Sequence, residues 1–182
     1  MSEDLHAILI DTEGLNSCER GDQSIDMKIF SLGVLLSSYF MYNCIGSIDE
    51  NVLESLSLVC NLSKHIHVSS KPSTLSEDST LYSRYFPFFM WVIRDFSLQL
   101  VDEEDNDINA RQYLENALRP IKSSMHEQEN PSQDDEEVHK KNRVRKALSN
   151  CFTSRDCHVL VRPVNDERKL REVDLLPPEA LR

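Results

Sequence analysis

The chain has 182 residues, 40 per cent of them hydrophobic, and a formal charge of −11 from 20 basic and 31 acidic side chains. That is one domain's worth of chain, or part of a larger one, with enough apolar residues for a core. The negative balance argues against general nucleic-acid or anionic-membrane binding, since such a surface repels both.

Residues 7–10, running into "ILIDTEGLNS" at 8–17, read as a short buried strand that ends at Asp11. The loop that follows is polar and carries Gly14 and Gly21; Ser24 can then cap a helix with Ile25, Ile29, Leu32 and Leu36 at helical spacing. No charge falls between Lys28 and Asp49. That length could cross a bilayer, but its serines, Asn43 and Gly46, with a β-prone second half, fit a buried helix running into a buried strand at 39–45, with no transmembrane segment.

Ser47 and Glu50 are spaced as a capping box. The helix it would open runs through Val52, Leu56, Val59 and Leu62 to about His65. His65 and His67 could share a strand face as metal ligands, yet no third ligand lies near them in sequence. "FPFFMWVIRD", at 86–95, is the strongest strand, apolar on both faces and again ending in an acid.

A helix at about 109–118 follows, with Asn109 and Gln112 as its cap, and then a long acidic exposed insertion. The next helix, about 134–150, has acids first and Lys140, Lys141, Arg143, Arg145 and Lys146 later, matching the helix dipole. That basic cluster reads as a solvated face. A last strand, "CHVLV", leads to Arg162 and Pro163. Five cysteines form no CxxC pair and leave one odd, and no signal peptide is evident. Reduced thiols in a cytoplasmic setting are expected.

Strands alternating with helices imply a parallel sheet covered on both faces, with ligands at the carboxyl ends of the strands. Asp11, the Arg94-Asp95 pair and Arg162 should then converge on one site. Asp11 and Gly14 have the separation that a phosphate site uses, a carboxylate near Mg²⁺ and a backbone N–H near the terminal phosphate. Alone, such a pair is also an ordinary strand-ending turn. Asp95 could accept both adjacent donors of guanine, N1–H and the N2 amino group. Hydrogen-bonding one edge in this way discriminates by factors of about 10⁴. By itself Arg94-Asp95 also reads as an ion pair at a strand end.

Together "DTEGL", "IFSLGVLLSSYFMYNCIGSI", "FFMWVIRDFSLQL" and "CHVLVRPV" occur in an order and spacing that resembles the large GTPase domain of the guanylate-binding protein family, related to atlastins. The resemblance runs from about Leu5 to the C-terminus. It implies an α/β, P-loop NTPase-like domain that binds GTP and GDP with Mg²⁺, acts in innate immunity, and forms homo- or hetero-dimers through its guanine-binding face. Carried over by position, Asp11 would help hold Mg²⁺ through water and Gly14 would donate to the γ-phosphate, with Thr12 and Leu15 in the same nucleotide-binding loop. Glu13 would help order the attacking water as the catalytic residue. Arg94 and Asp95 would contact guanine, and Arg162 would open the guanine cap. Val92 and Ile93 stand where the family more usually has Thr-Leu.

The family's Gly-x-x-x-x-Gly-Lys-Ser/Thr loop does not occur in these residues, and only ten residues precede Asp11. The first switch, the catalytic arginine and the helical stalk have no counterpart either. The expectation is a GTPase domain over residues 1–182 that is partial at both ends, lacks its phosphate-loop strand and is catalytically incompetent alone. The alternative is a non-catalytic interaction module that associates with related GTPases.

Overall fold

The computed structural model describes residues 6–12, 23–56, 86–122 and 133–182. In chain order these form α1 (Gln23–Leu36), β1 (Tyr39–Ile45), α2 (Glu50–Ser55), β2 (Phe88–Arg94), α3 (Ala110–Ala117), α4 (Gln133–Cys151), β3 (Arg155–Val159) and α5 (Glu167–Arg171). The strands make one all-parallel sheet in the order β1-β2-β3. Tyr39 pairs with Phe88 through to Ile45 with Arg94, and Phe89 with Arg155 through to Ile93 with Val159. The α/β expectation holds.

β2 is central because it can be buried along its length: Phe89, Trp91 and Ile93 are almost fully covered and belong to the main core. Their face also carries Phe40, Tyr42, Cys44 and Cys157, brought alongside by the register. Phe30 and Val34 of α1, Leu53 and Leu56, Leu114 and Leu118, and Val144, Leu148, Cys151 and Phe152 complete the cluster. Aromatic rings dominate it; Phe152 lies 4.5 Å from Phe89 and stands edge-on to Phe86 at 5.4 Å. Such contacts add to the large apolar area each ring removes from water. Gly33 lets α1 approach the sheet, since a Cβ there would come within 3.1 Å of the Phe40 ring.

Local chemistry sets the helix ends. Asn109 and Gln112 form the expected capping box on α3, each side chain bonded to the other's backbone N–H at 2.8 Å. At α2 the cap is Asp49, which accepts from Val52 N–H at 2.9 Å, and not Ser47. An Asp placed one residue before the helix satisfies the same orphan donors. That helix ends at Ser55 with Leu56 as its C-cap, short of the expected run, and the residues from 57 to His65, with His67, lie outside the described residues.

Four further expectations change. Residues 6–12 carry no regular structure, and Ile8 and Leu9 are 90% and 95% exposed, so no strand forms at 7–10. A four-residue strand needs a ladder partner and a covered face, and no pairing of this stretch with the sheet occurs among the described residues. α1 buries Phe30 and Val34, while Ile25, Leu32 and Leu36 are at least one-third exposed. Its sequence is apolar nearly all round, so spacing alone could not select the face. β1 is half-covered rather than core, with Tyr39, Met41 and Ile45 exposed on one face.

The basic cluster of α4 is also no simple solvated face. Arg145 is buried and paired with Glu50, while Lys140 bonds Glu54 and Lys141 bonds Glu137. Arg155 makes a second structural junction. It meets both carboxylate oxygens of Glu115 (2.9 and 2.7 Å) and the Ser149 and Phe152 carbonyls, joining α3 to the end of α4.

Candidate functional site

Three parallel strands put their carboxyl ends at one edge of the domain. There the chain after β2 is clamped from both sides. Gly46 N–H, just past β1, donates to the Arg94 carbonyl at 2.8 Å. On the other side Leu160, just past β3, donates to the Ile93 carbonyl (2.8 Å), and Phe96 N–H donates back to the Leu160 carbonyl (3.0 Å). Ile93 and Phe96 are buried, so the two residues between them must face outward.

Asp95 sits in that bend with φ of +54°, in the left-handed region. Asp tolerates this conformation better than most residues, at about 1 kcal/mol. Gly46 takes φ of +91°, where the absence of a Cβ removes the strain. Phe96 fixes the far side by packing edge-on to Tyr113 (5.6 Å), whose hydroxyl accepts from Ile48 N–H at 3.1 Å. The Asp95 carboxylate is exposed, and no hydrogen-bond donor meets it among the described residues.

Arg94 is not ion-paired with Asp95. Its Nε–H donates to Asn43 Oδ1 on β1 at 2.9 Å. The next residue, Cys44, turns to the covered face, where burial pushes its thiol up and the Trp91 indole N–H, donating to Sγ at 3.1 Å, partly offsets this. Cys157, across β2, is pushed up to about 12 by burial, so both thiols are neutral packing groups.

Arg162 lies past the end of β3, two residues beyond Leu160, and its Nη2 donates to Glu167 Oε1 at 2.7 Å. Its Nε is buried without a partner among the described residues. Asp11 and Thr12 are exposed in the irregular 6–12 segment, while Glu13, Gly14 and Leu15 lie outside the described residues. The structure therefore brings together the ends of β1, β2 and β3, and among the described residues no hydrogen bond or ion pair links Asp11 to that edge. Among the described residues no group of three His, Cys, Asp or Glu side chains could hold a metal ion, and no helix is long and apolar enough to cross a membrane.

Sequence reasoning missed Asn43 and Gly46. The signals were present: an amide inside an aromatic and aliphatic strand, and a glycine where that strand stops. A cleft between α2 and α4, lined by Glu50, Glu54, Lys140, Lys141 and Arg145, was also unforeseen, but the ion pairs described above occupy it.

Comparison with known proteins adds an independent finding. The family model described as guanylate-binding protein, N-terminal domain, matches residues 2–182. Guanylate-binding protein 4 of Homo sapiens is 38% identical over 175 residues, which is 96% of this chain and 26% of that protein. Guanylate-binding protein 3 of Mus musculus is 37% identical over 175 residues, with the same shares, and guanylate-binding protein 7 of Homo sapiens 38% over 168 residues, 92% of this chain and 25% of that protein. The chain spans about a quarter of the length of these curated relatives.

Proposed function

The chain belongs to the guanylate-binding protein family, and from that premise we propose that residues 1–182 are part of a GTP-binding, GTP-hydrolysing domain whose base-reading site is Arg94 and Asp95. The observation that carries this reading is the clamped bend at Asp95, where two neighbouring strands fix an exposed carboxylate, without a partner among the described residues, on a left-handed backbone. A preorganised acceptor pair is what recognition of two adjacent donors requires. In this reading Asp95 accepts N1–H and the N2 amino group of guanine, while adenine, with no donor at that ring nitrogen, is rejected. Arg94 lies against the base, and Arg162 begins the loop that closes over it.

The phosphate side is assigned to Asp11, Thr12, Glu13, Gly14 and Leu15, with Glu13 ordering the attacking water. Asp11 is the acid assigned to Mg²⁺, and one exposed carboxylate does not hold that ion without anchored phosphates. The described residues thus do not fit a resident metal site. Phosphoryl transfer depends on positioning and on neutralising charge at the transferring group. The 182 residues by themselves contain no Gly-x-x-x-x-Gly-Lys-Ser/Thr loop to do either. The alternative reading is a non-catalytic module that associates with related GTPases through the strand-end face. Either form is assigned to the cytoplasm, in keeping with reduced thiols at Cys44 and Cys157, and to innate immunity.

Calorimetric titration of the 182-residue protein with GMP and with AMP tests the base reading. Heat of binding for GMP and none for AMP is expected; equal responses to the two would overturn it.

A further inference from the structure

We propose that Asn43 is a positioning residue for guanine recognition, holding the Arg94 guanidinium at the strand-end site through its side-chain carbonyl, a role that rests on reading Arg94 and Asp95 as the base-contacting pair. Asn43 is in register with Val92 and Ile45 with Arg94, so Asn43 and Arg94 share one face of the sheet a single step apart. Oδ1 accepts the Arg94 Nε–H at 2.9 Å across that step. Asn is a poor strand residue, and here it interrupts a run of aromatic, aliphatic and cysteine side chains between Tyr39 and Ile45. The bond to Arg94 gives that choice a physical reason.

The two members of the base-reading pair differ in how they are held. Asp95 has a short side chain on a backbone fixed by Gly46 and Leu160, so its carboxylate needs no further support. Arg94 has a long side chain on an exposed strand end, and its rotamer freedom would oppose binding. Anchoring Nε removes much of that freedom in advance. It also leaves the Nη groups, which meet no acceptor among the described residues, and the planar faces of the guanidinium for a ligand. Asn43 thus acts through Arg94 and touches no base itself.

The test is a double-mutant cycle on the 182-residue protein, with GMP as probe and AMP as control, read by calorimetry and by the Arg94 Nε–H resonance. Asn43→Ala is expected to weaken GMP binding about 5-fold, the loss of one hydrogen bond to a charged group in a solvated setting. Asn43→Asp, which keeps the acceptor, should stay within about twofold of the unmodified chain by the same reasoning. In an Arg94→Ala background, Asn43→Ala should have no further effect. Independent, additive losses from the two alanine substitutions would overturn the role, as would unchanged GMP affinity in Asn43→Ala. Failure of the unmodified chain to bind GMP would instead refute the base-reading site, and the positioning role with it.

Discussion

Replacing Arg145 with alanine should be among the most damaging single changes away from the aromatic core. The side chain is 7% exposed and donates to both carboxylate oxygens of Glu50 on α2, while its Nε donates at 3.1 Å to the Ala117 carbonyl at the end of α3. One guanidinium therefore ties α4 to two other helices. Truncation leaves the Ala117 carbonyl without this partner, which costs about 1–3 kcal/mol, and removes stem packing worth about 1 kcal/mol. Glu50 is 44% exposed and rehydrates, so the ion pair itself adds about 0–1 kcal/mol. The sum is about 3 kcal/mol, a large part of the roughly 5–15 kcal/mol that stabilises a domain. Glu50→Gln, which keeps one acceptor and leaves the Ala117 bond, should cost only about 1 kcal/mol. Urea unfolding followed by far-ultraviolet circular dichroism should show the midpoint falling by about 1–2 M for Arg145→Ala. An Arg145→Ala midpoint equal to that of the unmodified protein, or a Glu50→Gln cost as large as that of Arg145→Ala, would refute the reasoning.

Gly46→Ala should destabilise by about 1 kcal/mol although nothing lies within 4 Å of the added Cβ, because the whole cost is the left-handed backbone; thermal unfolding reads it. Asp95→Ala should cost about 1 kcal/mol more than Asp95→Gly for the same reason, while both lose base reading. Cys157 is held near 12 in the fold against an ordinary 9.0, so its contribution is full below pH 9 and disappears as pH rises from 9 towards 12. Stability should decline across that range as the unfolded thiol ionises first, a slope that Cys157→Ala flattens; the raised Cys44, Tyr42 and Tyr113 act in the same direction. Incubated with GTP and Mg²⁺, the 182-residue chain should release no phosphate above buffer, and turnover abolished by Asp11→Ala would contradict that.

The sheet and the α3 cap were legible in the sequence because each rests on a local rule. "FFMWVIR" is too apolar to be anything but a buried strand, and Asn109 and Gln112 have capping-box spacing. The buried face of α1 was not legible, since "IFSLGVLL" offers apolar residues in every direction and only packing into the shared core, as where Phe30 meets Phe40, selects Phe30 and Val34. Arg145 could not be told from its basic neighbours, because its carboxylate partner lies 95 residues away. At the candidate site the Arg94-Asp95 pair was visible through its resemblance to a known motif. Its supports, Asn43 and Gly46, come from another strand and become apparent only when the register is known.

The central claim is that Asp95 reads guanine. Asp95→Asn keeps the shape of the side chain and turns one acceptor into a donor facing guanine's own donors, while xanthine carries a carbonyl where guanine has its amino group. The decisive measurement is the ratio of GMP to XMP affinity in the unmodified 182-residue protein and in Asp95→Asn, taken by calorimetry under one buffer. A preference for GMP that reverses towards XMP in the variant is the predicted result; an unchanged ratio would contradict the assignment.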